Sequence, residues 1–427
     1  IACCLVGSEM CIRDRGLEGL RRQDGIHAAA IVISPDTITK FLPIQQKGLN
    51  AEIVTQYEMH TVEQLGLLKM DFLGLRNLSI VDRTLELIGS ESLDIDNLKL
   101  DDEKTFKLFA EGKMTGVFQL ESRVAQSTSR SLKPKRFEDI VALVALIRPG
   151  PLGAGMHNEF ADRANNRKEI EYLHSDLESI LNETYGVIIY QEQVMQIAEK
   201  IAGFNLQEAD NLRVAMGKKI PKVMEEQRKK FTDGAVSNNY SEQFAIELFD
   251  QIAYFAGYGF NKSHSVPYAL LAYQTAYLKA NYPAEYIAAC LTAVKRDKDR
   301  TAIFLSEARD MGVKVSTPDV NLSSSDFTVN DNEILFGLSA VRNVGDITAD
   351  KIVLERESNG HFESIEDFLS RIDSRSLNKR GVEALIQGGG LDKFGLTRKG
   401  MFDSAIELIE NAKAVSYTHL TLPTKRN

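Results

Sequence analysis

The sequence predicts an α+β chain, mostly helical, on three observations. Short runs rich in β-branched residues occupy the first 75 residues. Apolar residues then recur every three or four positions from about 76 to 293. After 294 a hairpin signal and two short helical units take over. The 427 residues allow two to four domains at roughly 100–200 residues each. Apolar residues at 43% and charged residues at 26% supply both a core and a soluble surface.

The elements follow in order. "IHAAAIVIS" (26–34) is β-rich and closes on Ser34, Pro35 and Asp36, a turn signal. "EIVTQY" (52–57) and residues 65–71 read as two more strands, the second ending at Asp71. Leu75, Leu78, Val81, Leu85 and Ile88 then mark one face of an amphipathic helix. Helical pattern continues with breaks at "RPGPLGAG" (148–155), "GKKIP" (217–221) and "GYGFNKSHS" (257–265). The most apolar stretch, 266–293, is interrupted by Gln274, Lys279, Asn281 and Glu285. It falls short of the roughly 18 apolar residues of a membrane span, so it reads as one buried helix and no membrane partner is expected. "DFTVNDNEILFGL" (326–338) reads as a hairpin around 330–333, and helix–turn–helix units are expected at 340–357 and 376–391.

Charge and cysteine usage narrow the function classes. A net charge of −9 argues against an overall basic nucleic-acid coat and leaves room for local basic surfaces. Three of the four cysteines, Cys3, Cys4 and Cys11, precede residue 12, and Cys290 stands alone thereafter. That pattern excludes a disulfide framework or cysteine-based zinc site in the body and fits a reducing cytoplasm. His157, His174 and His264 lack metal-binding spacing, and neither a nucleophile elbow nor a dinucleotide fingerprint occurs. The ends "CLVGSEMCIRDR" and "VSYTHLTLPTKRN" resemble translated sequencing-adaptor DNA. Residues 1–15 and 415–427 are therefore set aside as non-native, and the natural protein is expected to continue past both.

Five stretches carry candidate chemistry. In "GLLKMDFLGLRNL", Lys69 and Asp71 share a strand face just before a helix. Asp71 is either that helix's N-cap or a ligand for a divalent metal beside a polyphosphate, with Lys69 facing the phosphates. "RVAMGKKIPKVMEEQRKK" (213–230) sets seven basic residues against Glu225 and Glu226. It is either a solvated helix face or a phosphate-facing surface through Arg213, Lys218, Lys219 and Lys222. "GYGFNKSHS" offers Lys262, Ser263 and His264 to phosphate and the Tyr258 ring to a base, without the Walker pattern. A plain turn fits that loop as well. "SAVRNVGDITADKIVLER" (339–356), with Lys351, and the weaker "SLNKRGVEALIQGGGLDKFG" (376–395), with Lys379 and Arg380, each place a Gly-containing turn beside a helix. Such turns hold one phosphate through backbone N–H groups, or simply connect helices.

Taken together, "GLLKMDFLGLRNL", "GVFQLES", "VALVALIRPGP", "ETYGVIIYQEQVMQIA", "AMGKK" and "FAGYGFNKSHSVPYALLAYQTAYLKANYPAEY" resemble bacterial DNA polymerase III alpha subunits, the C-family replicative polymerases. The resemblance covers roughly 16–414. It implies the C-terminal part of a palm at 16–75, helical fingers at 76–293, and a helix-hairpin-helix region at 294–414 that grips duplex DNA around Asn343 and Gly345. It makes Asp71 the third of three catalytic aspartates that bind two Mg2+ ions. One ion activates the primer 3′-hydroxyl and the other steadies pyrophosphate.

Arg148, Arg213, Lys218, Tyr258, Lys262 and His264 are then expected to contact nucleotide or template. The implied partners are primer-template DNA, deoxynucleoside triphosphates, and a sliding clamp and other replicase subunits bound through regions outside this chain. The first two aspartates belong upstream, so the chain alone is expected to be inactive. A non-catalytic DNA-binding protein is the competing reading. Two departures stand out: Val214 follows Arg213 where the family pairs arginines, and "RVAQSTSRSLKP" follows "FQLES".

Overall fold

The computed structural model describes residues 25–410 apart from 28, 50, 73, 90–92, 219–220, 257–258, 374–375, 406 and 408. The cysteines near the start and both adaptor-like ends lie outside that range. The chain divides into two compact units, one ending at Leu75 and one beginning at Arg76.

In the first unit, β1 (Ala30–Ile33) is followed by a 3₁₀ turn (Ile38–Lys40), β2 (Ile44–Gln46), β3 (Ile53–Thr55), α1 (Met59–Gln64) and β4 (Leu68–Asp71). β1 pairs antiparallel with β4, Ala30 opposite Asp71 and Val32 opposite Lys69, while β2 pairs with β3. A small core of Leu42, Val62 and Leu67 closes under them. The three expected strands are present. β2 and α1 were not anticipated: β2 (IQQ) lacks the β-branched run that marks β3 (IVT), and the six-residue α1 is set by Glu58, whose carboxylate accepts from the His60 and Thr61 N–H groups.

The second unit opens with α2 (Arg76–Ile88). Its buried face is Ile80, Val81 and Thr84, with Leu85 and Ile88 half-buried, whereas Leu78 is 54% exposed. The expected stripe is thus rotated, because the helix Pro283–Val294 packs against the 80–84 side. α3 (Glu103–Glu111), α4 (Arg123–Leu132), α5 (Phe137–Leu146), α6 (Pro149–Gly153) and α7 (Met156–Ala164) follow, then the single turn α8 (Glu178–Leu181). α5 is buried over Asp139 to Leu146, which its nearly all-apolar sequence requires. The divergent stretch after "FQLES" is the amphipathic α4, capped by Ser122 and burying Ala125, Thr128, Ser129 and Leu132. "RPGPLGAG" folds into α6 rather than an open break, since Pro149 tolerates the first helical position.

α9 (Gln191–Ala202), α10 (Leu206–Lys218), α11 (Pro221–Ser237) and α12 (Glu242–Ala256) surround a second core of Ile197, Ile201, Leu212, Phe231, Leu248 and Phe249. α10 and α11 are separated at the expected "GKKIP" position. Gly234 lets α11 meet the end of α9: a Cβ there would stand 2.2 Å from the Ala202 carbonyl oxygen. The apolar stretch 266–293 is two helices, α13 (Lys262–Asn281) and α14 (Pro283–Val294), not one. Pro283 has no N–H to continue α13 and instead starts α14.

α15 (Lys298–Asp310) leads to a three-stranded sheet of order β5-β7-β6, from β5 (Lys314–Val315), β6 (Thr328–Asn330) and β7 (Glu333–Leu335). The expected hairpin turns at Asp331 and Asn332, both at positive φ, as a two-residue turn between antiparallel strands requires. α16 (Asp346–Asn359), α17 (Ile365–Arg371), α18 (Lys379–Gly388) and α19 (Arg398–Asp403) close a last core around Ile352, Phe368, Leu385 and Ile386. Within 340–357 and 376–391 each expected pair reduces to one long helix. The first partner is only the 3₁₀ turn Leu338–Ala340, because five residues separate it from α16 and Asn343 there sits at φ +63°. The second helix packs instead on α19, the helix that follows it. Among the described residues no helix is long and apolar enough to cross a membrane.

Candidate functional site

Asp71 is the last residue of β4, five positions before α2 begins, so it does not cap that helix. The Lys69 ammonium donates to both of its carboxylate oxygens, at 2.7 and 2.9 Å, from the same strand face. That hydrogen bond holds the Asp71 carboxyl below its usual range, with a smaller contribution from His27 at 3.8 Å. Among the described residues no group of three or more acidic, histidine or cysteine side chains gathers in metal-holding geometry. One carboxylate beside an ammonium does not by itself hold a divalent ion.

The second unit gathers three of the expected nucleotide contacts, Arg148, Lys262 and His264, at the start of α13. The "NKSH" portion of the expected loop is helix: Asn261 is the N-cap, its Oδ1 accepting the His264 N–H at 2.8 Å. Asn in this role ends the glycine loop by satisfying one of the first-turn donors. The guanidinium of Arg148 lies 3.7 Å over the Phe260 ring, the Phe260 ring meets His264 edge-on at 5.5 Å, and His264 packs on Tyr268 at 4.3 Å. Burial lowers the Arg148 pKa without removing its charge. A cation on an aromatic ladder, with the Lys262 ammonium on the same helix turn as His264, suits a base and a phosphate together.

Two carboxylates that sequence reasoning missed complete this cluster. Glu192 Oε1 and Oε2 both accept the Lys262 N–H at 3.0 Å, and Glu183 Oε2 accepts from the Lys262 ammonium at 2.7 Å. Both lie in "ETYGVIIYQEQVMQIA", but no spacing rule relates them to a residue seventy or more positions away.

The other nucleotide candidates are not drawn into this cluster by any contact described. Arg213 pairs with Asp210 on its own helix at 2.8 Å. Lys218 ends α10, and Tyr258 and Lys219 lie outside the described residues. The basic run is also less bare than its sequence suggests. Arg228 pairs with Asp250, and Lys230 pairs with Glu208 at 2.7 Å while lying 5.2 Å from the Phe204 ring. Lys222 is exposed on α11. Nothing in the structure explains Val214.

At the hairpins, Gly345 is the N-cap of α16, and a Cβ on Gly381 would stand 3.2 Å from the Asn343 carbonyl oxygen. The two turns therefore pack on each other. Asn343 and Arg380 line one groove of about 920 Å³ with Arg342, Arg309 and Lys314. Lys351 donates to Ser376 Oγ at 2.7 Å, and Lys379 pairs with Glu383 at 3.6 Å.

The first residue of α16, Asp346, accepts from Lys295 and Arg296, which draw its pKa from 3.8 down to about 2. Since the folded carboxyl is the stronger acid, its contribution is complete above the unfolded pKa and disappears as pH falls through about 2. With 38% of the side chain exposed, screening reduces that contribution to about 1 kcal/mol. Denaturation from pH 5 to pH 2 should show a shallower pH slope for Asp346→Asn than for the unaltered chain. Equal slopes would remove Asp346 from the acid response.

Residues 77–239 match the bacterial DNA polymerase III alpha subunit finger domain, 8–74 match the bacterial DNA polymerase III alpha NTPase domain, and 312–401 match a helix-hairpin-helix motif. Relatives named DNA polymerase III subunit alpha are similar along nearly the whole chain. The Thermus aquaticus protein is 48% identical over 89% of this chain and 32% of its own length. The Mycobacterium tuberculosis H37Rv protein is 44% identical over 91% and 33%, and that of Escherichia coli K12 is 43% identical over 93% and 35%. The chain belongs to the bacterial DNA polymerase III alpha subunit family, and it spans about a third of the length of the curated relatives it matches.

Proposed function

We propose that the full-length protein is a DNA-directed DNA polymerase that extends primers on chromosomal DNA in the cytoplasm. The supporting observation is identity of 43–48% to relatives named DNA polymerase III subunit alpha across about nine-tenths of this chain. In this reading residues 16–75 are palm, 76–293 fingers and 294–414 a duplex-binding region. Asp71 supplies one carboxylate to a two-Mg2+ site whose other ligands come from outside the described residues. Lys69 keeps that carboxylate ionised and in place on β4.

Arg148, Lys262 and His264 receive the incoming deoxynucleoside triphosphate, with Arg213, Lys218 and Tyr258 assigned to nucleotide or template. The turns at Asn343 and Gly345 and at Lys379 and Arg380, with Lys351, Lys219 and Lys222, hold template-duplex phosphates. This chain alone is proposed to be inactive, and the clamp and other replicase subunits are assigned to the remainder of the protein. The full-length protein, given primer-template, four deoxynucleoside triphosphates and Mg2+, should extend the primer, and chelation should stop it. No extension, with salt-dependent duplex binding retained, would favour the non-catalytic DNA-binding reading that the hairpin motif also fits.

A further inference from the structure

We infer that Glu192 is the positioning residue of the triphosphate site, fixing the backbone on which Lys262 and His264 stand; this rests on the nucleotide reading of that cluster. The observations are local and mutually consistent. α13 is a 20-residue helix, and the N–H groups of its first turn have no partner within the helix. Glu192 reaches them from α9, both oxygens at 3.0 Å from the Lys262 nitrogen and Oε1 at 3.5 Å from the Ser263 nitrogen. A carboxylate here is held by charge-assisted hydrogen bonds and by the positive end of the helix.

The segment carrying Glu192 is itself immobilised. The Phe260 N–H donates to Ile189 O at 3.0 Å and the Gln191 N–H donates to Phe260 O at 2.9 Å, a two-bond bridge between the segments. Gln191 Nε2 adds a bond to Gly259 O at 3.1 Å. Behind it, Gln193 Oε1 accepts the Ile189 and Tyr190 N–H groups at 2.9 and 3.0 Å, and its Nε2 donates to Thr184 Oγ1 at 2.8 Å. Buried Tyr190 lies under Lys262, ring centre to ammonium 5.6 Å.

The two carboxylates divide the work on one lysine. Glu192 holds its main chain, and Glu183 holds its ammonium at 2.7 Å in the position a phosphate oxygen would take. With the main chain fixed, only the Lys262 side chain must exchange Glu183 for substrate, so little ordering is left to do on binding. Loss of Glu192 releases the first turn of α13 and with it the directions of Lys262 and His264.

The test is steady-state primer extension by the full-length protein carrying Glu192→Ala, Glu192→Gln or Lys262→Ala, with folding checked by thermal unfolding. Glu192→Ala should raise KM for deoxynucleoside triphosphate about tenfold, with a smaller change in kcat and unchanged primer-template affinity. Glu192→Gln, which keeps an acceptor oxygen, should recover most of that loss and remains informative where the alanine variant misfolds. An unchanged nucleotide KM in both Glu192 variants, while Lys262→Ala raises it, overturns the role of Glu192 alone. If Lys262→Ala also leaves KM unchanged, the nucleotide reading of the cluster fails instead. A parallel loss of primer-template affinity in Glu192→Ala would make the residue merely structural and also overturn the proposal.

Discussion

In the full-length protein, Asp71→Asn should lower primer extension by about a thousandfold or more while leaving duplex affinity within about twofold. The substitution is nearly isosteric and removes one thing, the negative charge, on which a metal ligand depends and a fold element does not. The carboxylate is half-exposed at the end of β4, and its partner Lys69 is on the same strand. Lys69 is only 16% exposed, but the Asp71 end of the pair is open to solvent, which screens it and keeps its contribution to stability small. Nor does Asp71 cap a helix, since α2 begins only at Arg76, so asparagine costs no cap. The expected signature is therefore a dead enzyme with an unchanged unfolding midpoint and an unchanged salt dependence of binding. Extension within tenfold of the unaltered protein would take Asp71 out of the metal site.

What the sequence disclosed follows from the range of the interactions. The 326–338 hairpin was legible because Asp331 and Asn332 adopt their positive φ by local preference, and β4 was legible because its strand ends at a charge. α2 was found, but its buried face only in part, because the helix period says which residues share a side and only α14 decides which side is covered. The break at Pro283 was overlooked inside an apolar run that read as buried helix. The candidate site divides the same way. Lys262 and His264 were visible in one motif, whereas Glu183 and Glu192 meet them only after the chain returns through α9 to α12. The basic run misled in the opposite direction: tertiary partners such as Glu208 and Asp250 are invisible to a local charge count.

Lys279→Met should destabilise the second unit by about 3–5 kcal/mol, the cost of leaving a buried charge without its partner. Lys279 is completely buried in α13, and its ammonium is fully coordinated, to Glu307 Oε1 at 2.7 Å, Lys113 O at 2.7 Å and Thr115 O at 2.8 Å. Burial lowers its pKa, and Glu307 opposes that by favouring the charged form. Methionine fills similar volume but strands two backbone carbonyls and one carboxylate. Lys113 and Thr115 belong to the loop between α3 and α4, which is held further along where Tyr286 Oη donates to Gly116 O at 2.7 Å and the Phe118 N–H donates to Thr275 Oγ1 at 3.1 Å. Side chains of α13 and α14 thus take over the hydrogen bonding of an irregular segment that has no strand partner, and Lys279 is its charged anchor. Lys279→Met with Glu307→Leu should recover part of the loss, because it removes the orphaned carboxylate together with its partner. Urea denaturation of the single and the double variant measures this directly. A single variant as stable as the unaltered protein would mean that water or another cation reaches Glu307, and that the loop is held by Tyr286 and Thr275 without Lys279.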